Sequence, residues 1–190
     1  MAKKFELTAE FVTNIFGKKL FRIKALMAFG DVKEGELGGY LEKEENLDHD
    51  GDAWVYGNAR VYGDAQVYGN AQVSGDAQVS GDARVSGNAW VYGNARVYGN
   101  ARVYGDAQVS GDADYATIKG FGSKRRATTF FRLKSGEIGV RCGCFYGTLE
   151  QFREKVKETH RNSKYAKEYL MIADLMQLHF QHEEEKKCDG

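Results

Sequence analysis

Cysteine has the widest chemical range of the side chains in this sequence, and all three copies lie in the C-terminal third. Cys142 and Cys144 are one residue apart, so on an extended strand both side chains would point to one face. A metal site would need two further donors, such as Cys188 or a histidine, and structural zinc sites usually repeat a Cys-x2-Cys spacing. We therefore predict two small buried side chains, no bound metal and a reducing compartment without a disulfide framework.

Histidine is the most common general base, and the sequence contains four. His49 precedes a glycine-rich repeat, whereas the other three lie in the C-terminal region: His160, His179 and His182. The sequence places none of them opposite a nucleophile, although a general base must reach its substrate. His160 has a structural explanation, because a cation near the end of a helix is stabilised by the helix dipole. We therefore assign no catalytic residue and no cofactor.

Seven cations and one carboxylate lie between residues 117 and 147, which leaves this segment a net charge of +6. The cations are Lys119, Lys124, Arg125, Arg126, Arg132, Lys134 and Arg141. Interleaved aromatic residues such as Phe121 and Phe130 would allow residues 119–141 to bind a nucleotide or nucleic acid by charge and stacking. Alternatively, the basic patch meets acidic surface elsewhere in the chain. The candidate binding residues here are Lys124, Arg125, Arg126, Arg132 and Arg141.

Spacing within the repeat indicates how these side chains are held. Eleven of the 23 glycines recur every six residues from Gly51 to Gly111, in the unit Gly-(Asp/Asn)-Ala-x-Val-(Tyr/Ser). Ala and Val are two residues apart and share one face of a strand, whereas x and Tyr/Ser share the other. Because Gly-Asp and Gly-Asn form turns and tolerate positive φ, each hexad predicts a short strand followed by a corner.

The Tyr/Ser position indicates how many hexads form one coil, because its residue type changes in blocks of three. Three tyrosines are followed by three serines, three more tyrosines and one serine: Tyr56, Tyr62, Tyr68, Ser74, Ser80, Ser86, Tyr92, Tyr98, Tyr104 and Ser110. Strands this short bury their inner face only when coils stack about 4.8 Å apart. The blocks therefore predict a mainly β fold, a single-stranded β-helix (β-solenoid) with three hexads per coil.

The x residues distinguish the three faces of this solenoid. The first face carries Trp54, Gln72, Trp90 and Gln108, the second carries Arg60, Gln78, Arg96 and Asp114, and the third carries Gln66, Arg84 and Arg102. Both tryptophans lie on the first face, which has no charge at its x and Tyr/Ser positions. An exposed apolar stripe usually marks a contact surface, with Trp54, Tyr56, Trp90 and Tyr92 as candidates. Either the terminal segments of this chain or a second copy in a homo-oligomer would cover it.

Flanking segments complete the predicted organisation. Residues 1–50 would form capping strands around Phe5–Ile15 and Leu20–Leu26 and irregular first coils at Leu41 and Leu47, ahead of the solenoid at 51–116. Residues 117–147 predict a basic β-hairpin that turns near Ser135 and Gly136, with Phe131 and Leu133 in the core and Lys124–Arg126 exposed.

Residues 148–190 predict two α-helices. The first starts with a capping box of Thr148 and Gln151. Its buried face would hold Leu149, Phe152 and Val156. The second runs from Ser163 to Glu184, and its predicted apolar side comprises Tyr165, Tyr169, Leu170, Ala173, Leu175, Met176 and Phe180. The polar end HEEEKKCDG should fray.

Two stretches, KLFRIKALMAFGDVKEGELGGYLEKEENL and GDAWVYGNARVYGDA, resemble the YdcK-type β-solenoid proteins of bacteria and phages. The stretch TTFFRLKSGEIGVRCGCFYGTLEQFREKVKETH is similar to a module at the end of phage-encoded proteins of this kind. The resemblance covers most of residues 15–181 and implies a β-solenoid of phage or prophage origin without established catalytic residues. The hexad period is also similar to that of left-handed β-helix acyltransferases, which implies left-handed coils.

The expected function is that of a non-enzymatic, phage-type binding protein in the host cytoplasm, acting on a host protein in defence or regulation. An acyltransferase-like enzyme is one alternative, although such enzymes generally use a histidine near the coils, and residues 51–110 contain none. A nucleotide-sequestering or nucleic-acid-binding protein is another. The sequence has no apolar run of about 18 residues, which predicts no membrane span, and its start lacks the apolar core of a secretory signal.

Overall fold

The hexads form a β-solenoid of about four turns in the computed structural model, which describes residues 3–181. Each hexad contributes one two-residue strand, made of its x residue and its valine. These strands are β4 (Trp54–Val55), β5 (Arg60–Val61), β6 (Gln66–Val67), β7 (Gln72–Val73), β8 (Gln78–Val79), β9 (Arg84–Val85), β10 (Trp90–Val91), β11 (Arg96–Val97), β12 (Arg102–Val103) and β13 (Gln108–Val109). The predicted alternation of short strand and corner is confirmed.

Strands 18 residues apart pair in parallel, so Trp90 lies between Gln72 and Gln108. The three faces are the sheets β4-β7-β10-β13, β5-β8-β11 and β6-β9-β12. Three hexads per coil are therefore confirmed. The second face ends earlier than predicted, because Asp114 lies in a 3₁₀ turn, Asp112–Asp114, and not in a strand.

Alanine and valine fill the interior of every coil, and from Ala53 to Val109 these side chains are completely buried. Removing this continuous apolar column from water is the main favourable contribution to folding. The ten corner glycines from Gly51 to Gly105 have φ between +60° and +74°. At Gly111 the backbone is extended, with φ −152°, and the repeat geometry ends there.

Three longer strands close the N-terminal end of the solenoid: β1 (Phe5–Thr13), β2 (Lys19–Ala25) and β3 (Leu37–Leu41). β1 and β2 form an antiparallel hairpin, and β2 pairs with β3. β3 then joins β5 in parallel, with Leu41 opposite Val61, and Leu47 bridges Val67 in the same way. The two spaced leucines therefore belong to an irregular first coil, as the sequence predicts, and the hairpin extends its sheet.

A four-stranded antiparallel sheet follows the last coil: β14 (Tyr115–Ile118), β15 (Thr128–Arg132), β16 (Ile138–Cys142) and β17 (Phe145–Thr148). β15 and β16 are the predicted hairpin, in which Phe131 lies opposite Gly139. β14 and β17 add one strand on each side. Phe131 packs into the solenoid core, whereas Phe130 packs into a second core under the helices. The sheet thus joins the two cores.

Two α-helices cover the other side of this sheet: α1 (Leu149–His160) and α2 (Lys164–His179). The capping box is confirmed, since Thr148 N–H donates to Gln151 Oε1 at 2.9 Å and Gln151 N–H donates to Thr148 Oγ1 at 3.3 Å. α2 ends at His179 and not at Glu184. The predicted fraying end and Cys188 fall in residues 182–190, outside the described chain. In residues 3–181, no helix has the length and apolarity needed to cross a membrane.

Candidate binding sites

Trp54 is completely buried, so at this end of the first face the predicted apolar stripe is covered by a terminal segment of the chain itself, the first of the two alternatives. Its ring packs edge-on against Phe29 and Phe5, with centroids 5.4 and 6.3 Å apart. These phenylalanines belong to the N-terminal segment, which covers this end of the first face. Sequence periodicity placed Trp54 on an outer face, but tertiary packing of the cap removes it from solvent and from any partner.

Trp90, the second tryptophan, is 40% exposed. Its indole N–H donates to the Ser74 hydroxyl at 2.9 Å, and its ring lies against Tyr92 with centroids 4.5 Å apart. Tyr56 is half-buried against the solenoid core, and this burial raises the pKa of its hydroxyl. Trp90 therefore remains exposed on the first face, whereas Tyr56 and Tyr92 are both partly buried.

A groove of about 580 Å³ runs along this face between Trp90 and a polar corner. The corner is a ladder in which Asn70 Nδ2 donates to Asn88 Oδ1 at 3.2 Å and Asn88 Nδ2 donates to Asp106 Oδ1 at 3.1 Å. Carboxylates of Asp31 and Asp52 also line the groove. Carboxylates therefore border the first face, although the x and Tyr/Ser positions of that face carry no charge.

Arg132 and Arg141, both predicted binding residues, are used within the fold. Arg132 pairs with Asp114 at 2.9 Å and donates to the Phe180 carbonyl at 3.0 Å. The Arg141 guanidinium lies over the Tyr104 ring, 5.0 Å from its centroid. Both arginines therefore connect the C-terminal sheet to neighbouring structure, and the structure does not gather them with the other basic candidates.

The remaining basic candidates lie in the loop between β14 and β15. Lys124, Arg125 and Arg126 are all exposed, as predicted. Arg125 has φ +47°, an uncommon conformation for a side chain-bearing residue, and the Gly122 N–H donates to Glu168 at 2.9 Å. These features fix the course of the loop, which directs Lys124 and Arg126 into a cleft and leaves Arg125 outside it.

This cleft, the apolar lobe, has a volume of about 390 Å³ and lies between the loop, the β16–β17 turn and α1. Its apolar lining is formed by Phe145, Phe152, Val156 and Tyr169, and its polar rim by Lys124, Arg126, Lys155 and His160. Burial, together with the neighbouring Cys142 thiol, raises the pKa of the Tyr169 hydroxyl to about 12. This hydroxyl is therefore a neutral hydrogen-bonding group at physiological pH.

A second cleft of about 360 Å³, the outer lobe, adjoins the apolar lobe at Arg126 and Gly143, which line both. We call the two lobes together the basic groove, whose cations are Arg102, Lys119, Lys124, Arg126 and Lys155. Lys155 pairs with Glu158 at 2.8 Å, whereas the other four form no ion pair within residues 3–181. Among the described residues, no carboxylate lines either lobe.

Sequence reasoning missed Arg102 and Lys155 as members of this groove. Arg102 is the last x residue of the third face, and its coil lies next to the C-terminal sheet, where Arg102 N–H donates to Thr129 Oγ1 at 3.0 Å. Lys155 precedes buried Val156 and follows Phe152 by three positions, which places it beside the buried face of α1. The available signals were the position of Arg102 at the end of the third face and the spacing of Lys155 from Phe152 on α1.

The cysteine prediction is wrong for both residues, since Cys142 is partly buried and Cys144 is exposed. The chain turns at Gly143, with φ +61°, so the two side chains do not share a strand. The Thr128 hydroxyl lies 3.1 Å from the Cys142 sulfur. Within residues 3–181, no group of three or more His, Cys, Asp or Glu side chains could hold a metal ion.

His49, the histidine nearest the coils, is held in the N-terminal cap. Its ring stacks on Phe5 with centroids 4.4 Å apart, and its Nδ1 accepts a hydrogen bond from the Lys4 N–H at 3.1 Å. Lys4 in turn donates its ammonium group to the Ala53 carbonyl at 2.9 Å. These contacts fix the His49 ring in the cap, where its Nε2 lies 3.9 Å from the Glu44 carboxylate.

α2 has apolar side chains on two sides. Ala166, Tyr169, Ala173, Met176 and Phe180 form its buried side. Leu175 was predicted on that side together with Tyr165, but both are exposed, so the prediction is wrong for these two residues. Leu175 instead lies with Met171 and Leu178 in the outer stripe of α2, whose members are 54, 71 and 66% exposed respectively.

Parallel two-residue strands, positive-φ glycine corners and a buried Ala/Val column define a β-solenoid repeat protein. The YdcK beta solenoid repeat family matches this chain over residues 53–69, 65–81, 77–93, 91–105 and 95–111. These matches cover the hexads that form β4 to β13 and leave the N-terminal cap and the C-terminal sheet and helices outside. Comparison with curated proteins finds no match to this sequence.

Proposed function

We propose that this chain is a non-enzymatic, phage-type β-solenoid binding protein that acts on a host protein in the host cytoplasm. The outer stripe of α2 carries the proposal, because a helix with apolar residues on both sides is normally buried on both sides. Met171, Leu175 and Leu178 lie at i, i+4 and i+7 and form one continuous apolar strip. An exposed strip of this kind favours a protein partner.

The solenoid supports this role as a rigid scaffold. Its ten regular hexads have a buried interior, and the exposed apolar strip lies on the C-terminal helices, so we assign recognition of the partner to the C-terminal part. The similarity of residues 128–160 to a module of phage-encoded proteins supports the phage assignment and a target inside the host. The fold alone would not identify a function.

Capture from a host lysate tests this proposal. Immobilised wild-type chain should retain a specific protein, and Leu175→Asp should reduce the retained amount at least tenfold, because a charge would have to be desolvated in an apolar contact. Gln177→Asp is the matched control, since it adds the same charge to an exposed position elsewhere on α2. Circular dichroism melting would confirm that both variants fold.

Equal capture by all three proteins would contradict the proposal. Light scattering of the same samples tests whether a second copy of this chain, and not a host protein, covers the stripe. If Leu175→Asp converts an oligomer into a monomer while no lysate protein is retained, the stripe joins copies of this chain. Acyl transfer remains the competing enzyme class, and tight binding of acetyl-CoA would favour it over a non-enzymatic role.

A further inference from the structure

Cations from three parts of the fold converge on the basic groove. Arg102 comes from the last coil of the solenoid, Lys124 and Arg126 from the β14–β15 loop, and Lys155 from α1. No described carboxylate lines the groove, so this local positive potential is not neutralised inside it. Within the part of the chain that the structure describes, only Lys155 of these cations is paired, and such a concentration of positive charge in a concave site attracts phosphate groups.

The apolar lobe presents the partly exposed ring of Phe145 beside these cations, packed on Phe152 and Tyr169, which are buried beneath it. The rings of Phe145 and Phe152 have centroids 5.7 Å apart, and those of Phe152 and Tyr169 lie 5.6 Å apart. A volume of about 390 Å³ falls in the range of small-molecule pockets. Aromatic side chains at the edge of a basic groove provide stacking for a nucleobase.

We infer that the basic groove binds a free nucleotide, with its base in the apolar lobe and its phosphate in the outer lobe. Arg126 lines both lobes and is placed to contact the phosphate at their junction, with Lys119 and Arg102 beyond it. Tyr169 contributes to the lining of the lobe that takes the base. This inference rests on the proposed non-enzymatic binding role but uses a surface separate from the outer stripe of α2.

A free nucleotide fits the groove better than a nucleic acid strand. Proteins that bind single strands provide successive aromatic platforms along a basic track, whereas this groove has one aromatic lobe. Its other lobe is lined by Asn100, Ala127 and Gly143 besides its cations. The arrangement therefore matches one base with the phosphates attached to it.

Calorimetry on the full chain with each of the four ribonucleoside 5′-monophosphates tests the inference. At least one should bind with a dissociation constant below about 100 μM. The Arg126→Glu substitution should weaken that binding at least tenfold, because it removes a phosphate contact and adds a repulsive charge. Arg125→Glu is the matched control, with the same charge change one residue away and outside the groove, and it should change the affinity less than threefold.

A second variant tests the base. Phe145→Ala should weaken nucleotide binding about tenfold through lost stacking, while leaving the much weaker binding of inorganic phosphate unchanged. The inference is overturned if no monophosphate binds below about 1 mM, or if Arg125→Glu weakens binding as much as Arg126→Glu. Hundredfold tighter binding of a ten-residue oligodeoxythymidylate would assign the groove to single-stranded nucleic acid instead.

Crossing the two sets of variants distinguishes this inference from the proposed function. Leu175→Asp should leave nucleotide affinity unchanged, and Arg126→Glu should leave capture of the host protein unchanged. If the wild-type chain binds a nucleotide but captures no protein, the proposed function fails and the nucleotide inference stands. The reverse result would overturn only the nucleotide inference.

Discussion

At the scale of single residues, backbone conformation explains why glycine never varies in the hexad. The corner requires positive φ, which costs a residue with a side chain about 1–2 kcal/mol. Successive coils also approach closely there, because a Cβ on Gly87 would lie 2.8 Å from the nitrogen of Gly105. Positive φ therefore constrains all ten corner glycines, and close contact with the next coil is a second constraint at corners such as Gly87, but not at Gly99, where no described atom lies within 4 Å of an added Cβ.

Replacing a corner glycine should consequently destabilise the solenoid. We expect Gly87→Ala to lower the free energy of unfolding by about 2 kcal/mol, from strained φ and the clash with Gly105. Gly111→Ala is the control, since its backbone is extended and no atom lies within 4 Å of an added Cβ. Urea titration followed by circular dichroism would measure both, and equal midpoints for the two variants would contradict the prediction.

At the scale of elements, the sequence predicts those parts that depend on short-range spacing. The hexad strands, the central hairpin and the cap of α1 follow from residues within six positions of each other. β14 and β17 were not predicted, because YATI and FYGT are too short to show a clear alternation. The misassignment of Leu175 has another cause: α2 has apolar residues on two sides, and periodicity alone cannot choose the buried one.

Contacts between distant elements were also beyond sequence reasoning, and Asp114 illustrates them. Burial alone would raise the pKa of this carboxyl. The Ser110 hydroxyl at 2.6 Å, the backbone N–H groups of Ser110 and Gly111, and Arg132 outweigh burial and hold the pKa below its ordinary value near 3.8. Through Arg132 and the Phe180 carbonyl, Asp114 connects the last coil to the end of α2.

This lowered pKa predicts acid sensitivity of the junction. Asp114 contributes stability that is complete above its unfolded pKa of about 3.9 and is lost as the pH falls through its lower folded pKa. Asp114→Asn should therefore be less stable than the wild type at pH 7, with the difference shrinking below about pH 4. Urea midpoints at pH 7 and pH 3 would test this, with Asp76→Asn as a control on an exposed hexad. A difference independent of pH would contradict it.

At the scale of the whole molecule, each end of the solenoid is covered by different structure. The N-terminal hairpin and Phe5 cover the first coil, while Phe131 and the C-terminal sheet cover the last. Hexad counting predicted three sheets, but it could not show that the cap would bury Trp54 or that the last coil would supply Arg102 to a groove. Those features depend on where the termini fold back. Left-handed winding of the coils stays a prediction.

Self-association is the expectation that belongs to this scale. Trp90 is exposed on the first face beside the partly buried Tyr92, and we expect this face to join copies of the chain. Trp90→Arg should then lower the molar mass in solution to that of one chain, because a cation would be buried in the contact. Gln66→Arg, the same change on the third face, should leave the mass unaltered. Light scattering provides the measurement, and an unchanged mass for Trp90→Arg would remove this interface.

Stacking with an 18-residue period also restricts how this molecule can change its length. Removing residues 69–86 would shorten the stack by one coil, roughly 4.8 Å, and would bring Tyr56, Tyr62 and Tyr68 against Tyr92, Tyr98 and Tyr104. Removing two coils, residues 69–104, would instead place Tyr56 beside Ser110 and so keep tyrosine next to serine on the first face. Viable length variants of the solenoid should therefore differ by pairs of coils. The distance between the N-terminal cap and the basic groove would then change in steps of about 10 Å.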